Sequence, residues 1–282
     1  MEKRLFLTID LEDWFQVENL KEAINPAEWD SCEMRVVDNV KILLELLERR
    51  SVKSTFFVLG WIAERIPKII KEIHENGHEI ASHGYAHKPI YAQSEKEFLD
   101  DLRKSKRILE DIIGKEVIGY RAPNFSITDW AIKILKDEGF IYDSSYCPTS
   151  LNKNYGKINI GDAEEKNGVY ILPNGLYEIP ISTMKFFKIQ IPTGGAYFRI
   201  LPYWFFKYKF KSLDEDPNDK IVVFYIHPWE IDPGQPKVKG ISFMKKFRHY
   251  TNLKNNLSKF ERLIGEFSFT SIGEYLKLKN FI

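Results

Sequence analysis

Two histidines lie four positions apart in the stretch SHGYAH, residues 82–87. The chain contains only six histidines, and a neutral imidazole is a common ligand of Zn²⁺ and related divalent ions. His83 and His87 are therefore candidate metal ligands, although a histidine pair at this spacing also occurs on ordinary turns. Other parts of the chain must supply a further ligand and acid–base groups before a metal site is indicated.

Polar side chains also follow other segments that are predicted to be buried strands. These segments end in TIDLED (8–13), GYRAPNF (119–125), YDSS (142–145) and IHPWEID (226–232). The residues in them that could do chemistry are Asp10, Glu12, Asp13, Arg121, Asn124, Asp143, His227 and Glu230. One carboxylate after a strand often caps a helix. Several such strand ends converging on one rim of a parallel barrel are typical of an active site.

Metal-assisted hydrolysis requires this combination of residue types. Two imidazoles and one carboxylate make a three-ligand site with open positions for water and substrate. A second carboxylate can take a proton from the attacking water, and a histidine on the opposite side can protonate a leaving amine. An arginine beside the base carboxylate keeps that carboxylate ionised.

Strands and helices alternate along the chain, which predicts parallel βα units. The predicted strands are 4–9, 54–59, 78–82, 117–120, 140–142, 220–227 and 268–270, and the predicted helices are 36–50, 61–76, 94–113, 128–138 and 252–265. We expect an α/β fold with roughly seven strands in one barrel-like sheet. The whole chain, 1–282, is predicted to be a single domain in which the segment at about 148–219 is an elaboration.

The composition narrows the class of protein. Apolar residues make up 44 % of the 282 residues, and the net charge is +1, so no global field favours nucleic acid. The two cysteines, Cys32 and Cys147, fit no metal-binding pattern. No signal-peptide core or apolar window of about 18 residues is visible, and we therefore expect a cytoplasmic protein.

TIDLED, SHGYAH, GYRAPNF and IHPWE, in this order, resemble the motifs of NodB-type polysaccharide deacetylases, carbohydrate esterase family 4. GGAYFRILPY (194–203) and HPWEIDPGQP (227–236) resemble the branch associated with exopolysaccharide loci, often described as exosortase-linked. SHGYAH and HPWE are also similar to peptidoglycan deacetylases and to metal-independent allantoinases on the same barrel. The resemblance implies a distorted (β/α)7 barrel that hydrolyses N-acetyl groups on amino sugars of a polysaccharide or glycan precursor and releases acetate.

The family motifs assign roles to individual residues. They imply that Asp10 is the general base, His83 and His87 are metal ligands, Arg121 tethers the base and His227 is the general acid. Leu11 stands where many members have a second aspartate, so the third ligand is Glu12 or Asp13. Asp143 is the candidate that polarises His227. The expected ion is Zn²⁺, with Co²⁺, Ni²⁺ or Fe²⁺ as alternatives, and the candidate substrate contacts are Tyr85, Pro123, Asn124, Phe125 and Trp229.

Two other functions fit the same motifs. The first is hydrolysis of a non-sugar C–N bond, as in the allantoinases; the metal-free relatives lack the ligand set that this chain keeps. The second is a non-catalytic glycan-binding barrel, which the intact base, ligand pair and acid argue against. Separately, the aromatic and basic segment 199–211 is predicted to be a helix packed on the barrel, and peripheral membrane contact is the less favoured alternative.

Overall fold

A curled parallel sheet forms the centre of the computed structural model, which describes residues 4–149, 155–216, 218 and 220–282. Ten strands in the described part of the chain form this sheet. They are β1 (Leu5–Leu11), β2 (Thr55–Val58), β3 (Glu79–Ser82), β4 (Gly119–Tyr120), β5 (Tyr142–Asp143), β6 (Glu164–Lys166), β7 (Val169–Ile171), β8 (Tyr177–Glu178), β11 (Val222–Ile226) and β12 (Phe269–Thr270). A separate hairpin pairs β9 (Thr183–Phe186) with β10 (Ile189–Pro192).

The spatial order of the sheet is β11-β1-β2-β3-β4-β5-β8-β7-β6, and β12 also pairs with β1. Every pair from β11 to β8 is parallel, whereas β6 and β7 join as an antiparallel hairpin. The carboxyl ends of the parallel strands therefore meet at one edge, as the predicted (β/α)7 fold requires. The predicted fold class is confirmed.

The helices cover the outside of this sheet. They are α1 (Val36–Arg49), α2 (Gly60–Arg65), α3 (Pro67–Glu75), α4 (Glu95–Ile113), α5 (Asp129–Asp137), α6 (Gly195–Ile200), α7 (Tyr203–Asp214), α8 (Phe243–Tyr250), α9 (Leu253–Glu266) and α10 (Ile272–Leu278). All seven residues of β1 are buried, because this strand is covered by helices on one side and by the barrel interior on the other.

The predicted helix 61–76 is wrong as a single element. The chain leaves the helical conformation at Ile66 (φ −130°, ψ 55°), and α3 restarts with Pro67 at its first turn. Proline disfavours a helical conformation in the residue before it and is well accommodated at a helix start, which explains the break. The predicted capping box at Ser94 and Glu97 is confirmed, and Gly114 ends α4 in the left-handed conformation.

The predicted elaboration, 148–219, contains β6 to β10, α6 and α7 in its described part; residues 150–154, 217 and 219 lie outside the described residues. Helix α7 buries Tyr203, Phe206 and Phe210 and leaves Trp204 and Tyr208 exposed on its outer side. None of the described helices combines the length and apolarity needed to cross a bilayer.

Candidate active site

Three predicted metal ligands meet at the carboxyl edge of the sheet. Glu12, His83 and His87 are buried, and their ligand atoms lie within 4.8 Å of one another. Glu12 Oε1 is 3.4 Å from His83 Nε2 and 3.1 Å from His87 Nε2. Burial alone would raise the pKa of Glu12, but His87 and His227 lower that pKa well below its usual range. Glu12 is therefore a carboxylate that faces imidazole nitrogens.

The loop that carries the two histidines is fixed by backbone contacts. Asp101 of α4 accepts hydrogen bonds from the backbone N–H groups of Tyr85 (2.6 Å) and Ala86 (3.1 Å). Gly84 has φ +72°, and a Cβ there would meet Asp101 Oδ2 at 2.9 Å. His87 has φ 51°, an uncommon conformation for a residue other than glycine. Sequence reasoning missed Asp101, since nothing in its helix distinguishes it from a solvent-exposed acid.

The two ring nitrogens of His83 have different partners. Nδ1 lies 2.7 Å from the backbone carbonyl of Arg121, and a carbonyl only accepts, so Nδ1 carries the proton. In the neutral ring Nε2 then presents a lone pair toward Glu12. Two electron-rich atoms at this separation favour a cation between them, and a hydrogen-bonded second nitrogen is the usual arrangement for a metal-binding histidine.

Asp13 makes different contacts from Glu12. Its Oδ1 accepts from Trp14 N (2.8 Å), and its Oδ2 accepts from the N–H groups of Arg35 (2.7 Å) and Val36 (3.0 Å) at the start of α1. Both oxygens are thus committed to the backbone, and Asp13 does not join the ligand group. Glu12 lies one residue beyond β1, and its N–H donates to the Asp10 carbonyl at 3.0 Å. A tight turn after the strand therefore directs Glu12 toward the ligand group. The alternating side-chain directions of β1 do not extend to Glu12, because the strand ends at Leu11.

The predicted base and its tether are in contact. Arg121 is fully buried and donates from Nη1 to Asp10 Oδ1 at 2.7 Å and to Thr8 Oγ1 at 2.8 Å. Its Nε and Nη2 donate to the carbonyl and the hydroxyl of Ser144, each at 2.9 Å. These bonds all hold the guanidinium of Arg121, which in turn fixes the position of Asp10 Oδ1. The other oxygen, Oδ2, lies 3.8 Å from His227 Nε2.

The partner of His227 is Glu230, and the prediction of Asp143 for this role is wrong. His227 Nδ1 donates to Glu230 Oε2 at 2.9 Å, so Nε2 is the nitrogen that faces Asp10. Burial alone would lower the pKa of His227, but the carboxylates of Glu12 and Glu230 raise it to about 9. Glu230 follows His227 by three residues on the turn Pro228–Ile231, which is close enough for the two side chains to meet.

Arg199 completes this contact and was not among the predicted site residues. It is fully buried and donates from Nε to Glu230 Oε1 at 2.7 Å. Burial would raise the pKa of Glu230, but Arg199 and His227 together lower it to about 2. Gly194 and Gly195 allow α6 to begin against Tyr225, because a Cβ on Gly194 would lie 2.1 Å from the Tyr225 carbonyl. The glycine pair before Arg199 was visible in the sequence, but the partner of Arg199 was not.

Asp143 instead faces a second buried carboxyl group. Its Oδ1 accepts from Ser145 Oγ at 2.6 Å, while Glu178 Oε1 accepts from Tyr146 N at 2.9 Å. The other oxygens, Asp143 Oδ2 and Glu178 Oε2, are buried and have no hydrogen-bond partner among the residues that the structure describes. Burial raises the pKa of Asp143 to about 6 and the pKa of Glu178 well above its usual range. The two groups therefore share a proton at neutral pH.

A cavity of about 370 Å³ opens above these side chains. Of the predicted substrate contacts, Asn124, Phe125 and Trp229 line it, although Trp229 is only 4 % exposed and stacks between His227 and His249. Tyr85 and Pro123 do not line it. Tyr85 points to Glu64, with Oη donating to Oε2 at 2.5 Å, and Pro123 is buried beside Gly84.

The donor set fits a divalent metal ion. Nε2 of His87 is buried and has no hydrogen-bond partner among the described residues, because its contact with Glu12 lacks the direction of a hydrogen bond. Together with Nε2 of His83, which lies 3.4 Å from Glu12 Oε1, and the Glu12 carboxylate, it offers two nitrogens and one oxygen. This set suits Zn²⁺ and other first-row divalent ions.

Parts of the chain are similar to known polysaccharide deacetylases. Residues 28–142 match the family model described as polysaccharide deacetylase, and residues 144–277 match a domain of unknown function, DUF3473. A peptidoglycan deacetylase of Helicobacter pylori is 32 % identical over 124 residues, which is 44 % of this chain and 42 % of that protein. A peptidoglycan-N-acetylglucosamine deacetylase of Bacillus cereus is 28 % identical over 178 residues, 58 % of this chain and 62 % of that protein.

The match thus spans about half the length of these two relatives. Among solved structures, PuuE allantoinase superposes with a TM-score of 0.62 at 16 % identity, over 98 % of this chain and 90 % of that one. At this identity the superposition shows a shared fold and carries no argument about the reaction.

Proposed function

We propose that this chain removes N-acetyl groups from amino sugars of a glycan. The proposal is supported by its NodB-type (CE4) polysaccharide deacetylase domain, which is joined to a DUF3473 region. The products are acetate and a free amino sugar. The observation that carries the proposal is the convergence on one cavity of a tethered carboxylate, Asp10, an imidazole with a defined proton, His227, and the Glu12–His83–His87 group.

Glu12, His83 and His87 would hold the divalent ion. When bound, that ion supplies Lewis-acid polarisation of the acetamide carbonyl and a more acidic water. All three side chains are buried at this corner of the site.

Asp10 acts as the general base in this proposal. Arg121 holds one of its oxygens and leaves the other directed toward His227, so Oδ2 is the oxygen that takes the proton of the attacking water.

His227 acts as the general acid. Glu230 accepts the Nδ1–H bond, and this keeps the proton to be transferred on Nε2, the nitrogen that faces the cavity. As the C–N bond breaks, Nε2 gives its proton to the departing amine, and the negative charge of Glu230 stabilises the imidazolium before transfer.

The test is acetate release from chitotetraose with added Zn²⁺ or Co²⁺ and, in parallel, with a chelator. We expect metal-dependent release that falls about 10²- to 10⁴-fold in Asp10→Asn, the range for loss of a general base. Glu18→Gln, a change at the rim of the same cavity, is the matched control and should keep most of the activity. Equal release with and without chelator, or full activity of Asp10→Asn, would contradict the proposal.

A further inference from the structure

The cavity above the candidate active site is lined by four basic residues: Lys21, Arg199, Lys245 and Arg248. Three of them have an acidic partner. Lys21 is paired with Glu18, Lys245 lies 2.7 Å from Glu22, and Arg199 lies 2.7 Å from Glu230. The charges of these three side chains are therefore balanced within the protein.

Arg248 differs from the other three. No carboxylate of the described residues lies within ion-pair distance of its guanidinium, and the ionisable groups that act on it most strongly are the hydroxyls of Tyr155, Tyr225 and Tyr197. Its Cζ is 5.8 Å from the centre of the Tyr197 ring. Arginine remains charged at neutral pH, so a full positive charge faces the cavity without a carboxylate counter-ion in the described part of the chain.

Hydrogen bonds from Arg199 hold the backbone of Arg248 close to the proposed general acid, His227, and its partner Glu230. Arg199 Nη2 donates to the Arg248 carbonyl at 2.8 Å, and Arg199 Nη1 donates to the next carbonyl, that of His249, at 2.8 Å. The same guanidinium holds Glu230, the partner of His227. Through Arg199, the position of Arg248 is thus tied to the group that would protonate the leaving amine.

A half-buried charge without a counter-ion is costly unless a ligand supplies one. A guanidinium matches the two oxygens of a carboxylate or a phosphate better than it matches a single hydroxyl. Two of the tyrosines near Arg248, Tyr155 and Tyr225, line the same cavity and offer rings and hydroxyls suited to a sugar. These observations favour an anionic glycan over a neutral one as the ligand of this cavity.

We propose that Arg248 is a specificity residue that binds an anionic group, a carboxylate or a phosphate, carried by the glycan close to the N-acetyl group that reacts. This inference rests on the proposed deacetylase function and names its substrate class. It predicts that neutral N-acetylglucosamine oligomers are the poorer substrates.

The experiment compares three glycans: chitotetraose, which is neutral; a hyaluronan tetrasaccharide, which carries carboxylates; and UDP-N-acetylglucosamine, which carries phosphates. For the wild type we expect kcat/KM to be at least about tenfold higher on one of the two anionic glycans than on chitotetraose, since one charge-assisted bidentate contact has about this worth. The preferred anion then identifies the source of the charge.

Arg248→Gln should remove this preference, lowering kcat/KM on the anionic glycan by about tenfold or more while changing chitotetraose by less than about twofold. Arg248→Lys should keep part of the preference, because it keeps the charge and loses the planar fork. Lys245→Gln, whose side chain lines the same cavity but is paired with Glu22, is the matched control and should leave the preference unchanged.

Binding of the same glycans is measured by calorimetry on wild type and Arg248→Gln, so that the result does not depend on turnover. Weaker binding of only the anionic glycan to Arg248→Gln supports the inference even if no acetate is released, an outcome that would contradict only the deacetylase proposal. Equal losses on neutral and anionic glycans, or no anionic preference in the wild type by either measurement, would overturn the inference.

Discussion

Two groups of side chains face each other across the cavity, and they are held in place by different means. The amino-terminal group lies on or directly after the strands of the sheet: Asp10 is on β1, and Glu12, His83, His87 and Arg121 follow the ends of β1, β3 and β4. The carboxyl-terminal group, Arg199, His227, Glu230 and Arg248, comes from separate helices and turns that long-range side-chain contacts connect. Arg199 alone links three of those segments.

This difference has a consequence for robustness. A residue at the end of a parallel strand keeps its position as long as the sheet forms, since the register of β1 with β2 and β11 sets it. A residue outside the sheet that is positioned by a buried arginine loses its position when that single contact is lost. The amino-terminal group should therefore fail through chemistry when mutated, and the carboxyl-terminal group should fail partly through local structure.

The largest effect that separates the two groups is expected for His83→Ala. It removes one of the three proposed ligands, and loss of the metal's contribution should lower acetate release by about 10³-fold or more with little change in melting temperature. Metal content by mass spectrometry of the purified protein should fall together with activity. His74→Gln, on α3, controls for the number of histidines, and a His83→Ala protein that keeps its metal would refute the assignment.

The second effect tests the acid and its partner. Glu230→Gln leaves the shape of the side chain but weakens the charge that orients His227, so kcat should fall about 10²-fold while metal content stays unchanged. Asp143→Asn, at the position that the sequence analysis preferred, should lower kcat by less than about threefold, because Asp143 contacts Ser145 and faces Glu178. The opposite ranking of the two variants would restore the original prediction.

A smaller effect is expected on stability for Arg199→Lys. The lysine keeps a charge near Glu230 but cannot donate to all of the carbonyls of Arg248, His249 and Thr251. We expect a loss of about 2–3 kcal/mol in the free energy of unfolding, measured by urea denaturation. Arg103→Lys, at an exposed ion pair with Glu138, should change stability by less than about 0.5 kcal/mol. Equal losses in the two variants would show that Arg199 does not hold its segments together.

The smallest effect concerns a buried acid pair near residue 143, where the deacetylase match (28–142) and the DUF3473 match (144–277) meet. Asp143 on β5 and Glu178 on β8 form the buried acid pair, and burial raises the pKa of Asp143 to about 6. The folded protein thus holds a proton that the unfolded chain has released above about pH 4, so this pair contributes less stability as pH rises from about 4 to 6 and beyond.

Glu178→Gln keeps an acceptor for the Ser145 and Tyr146 N–H groups and places an amide opposite Asp143. The variant should therefore equal the wild type near pH 5 and exceed its free energy of unfolding by about 1 kcal/mol at pH 7.5. Thermal and urea melts at both pH values measure this difference. Glu164→Gln on the exposed strand β6 should show no pH-dependent change. A destabilised Glu178→Gln protein at pH 7.5 would mean that the pair holds no extra proton in the folded state.

The same difference between the two groups explains what the sequence could predict. Strand ends and helix periods are local, so β1, β3, α4 and the residues that follow the strands were found from spacing and from the motifs that they carry. The choice between Glu12 and Asp13 was not local, because it depends on where α1 begins: Asp13 accepts from Arg35 and Val36, more than twenty positions away. Only the fold brings those N–H groups to it.

The carboxyl-terminal group was harder to predict for the same reason. Glu230 was visible three residues after His227, yet nothing in the sequence indicated that Arg199 would reach it across 31 positions. The pairing of Asp143 with Glu178 and the isolation of Arg248 also arise from tertiary packing. In each case the missing information was the identity of a distant partner, which neither hydrophobic period nor spacing encodes.

The neighbouring acids Glu12 and Asp13 show how differently adjacent positions can behave in a mutational library. Asp13 is an internal scaffold for the start of α1, whereas Glu12 presents its carboxylate to the ligand group. Variants at position 13 should therefore be depleted from the soluble fraction of cells that express the library, and variants at position 12 should accumulate normally but score as inactive. A screen that measures activity alone would score variants at both positions as inactive. A parallel measurement of protein abundance would distinguish them.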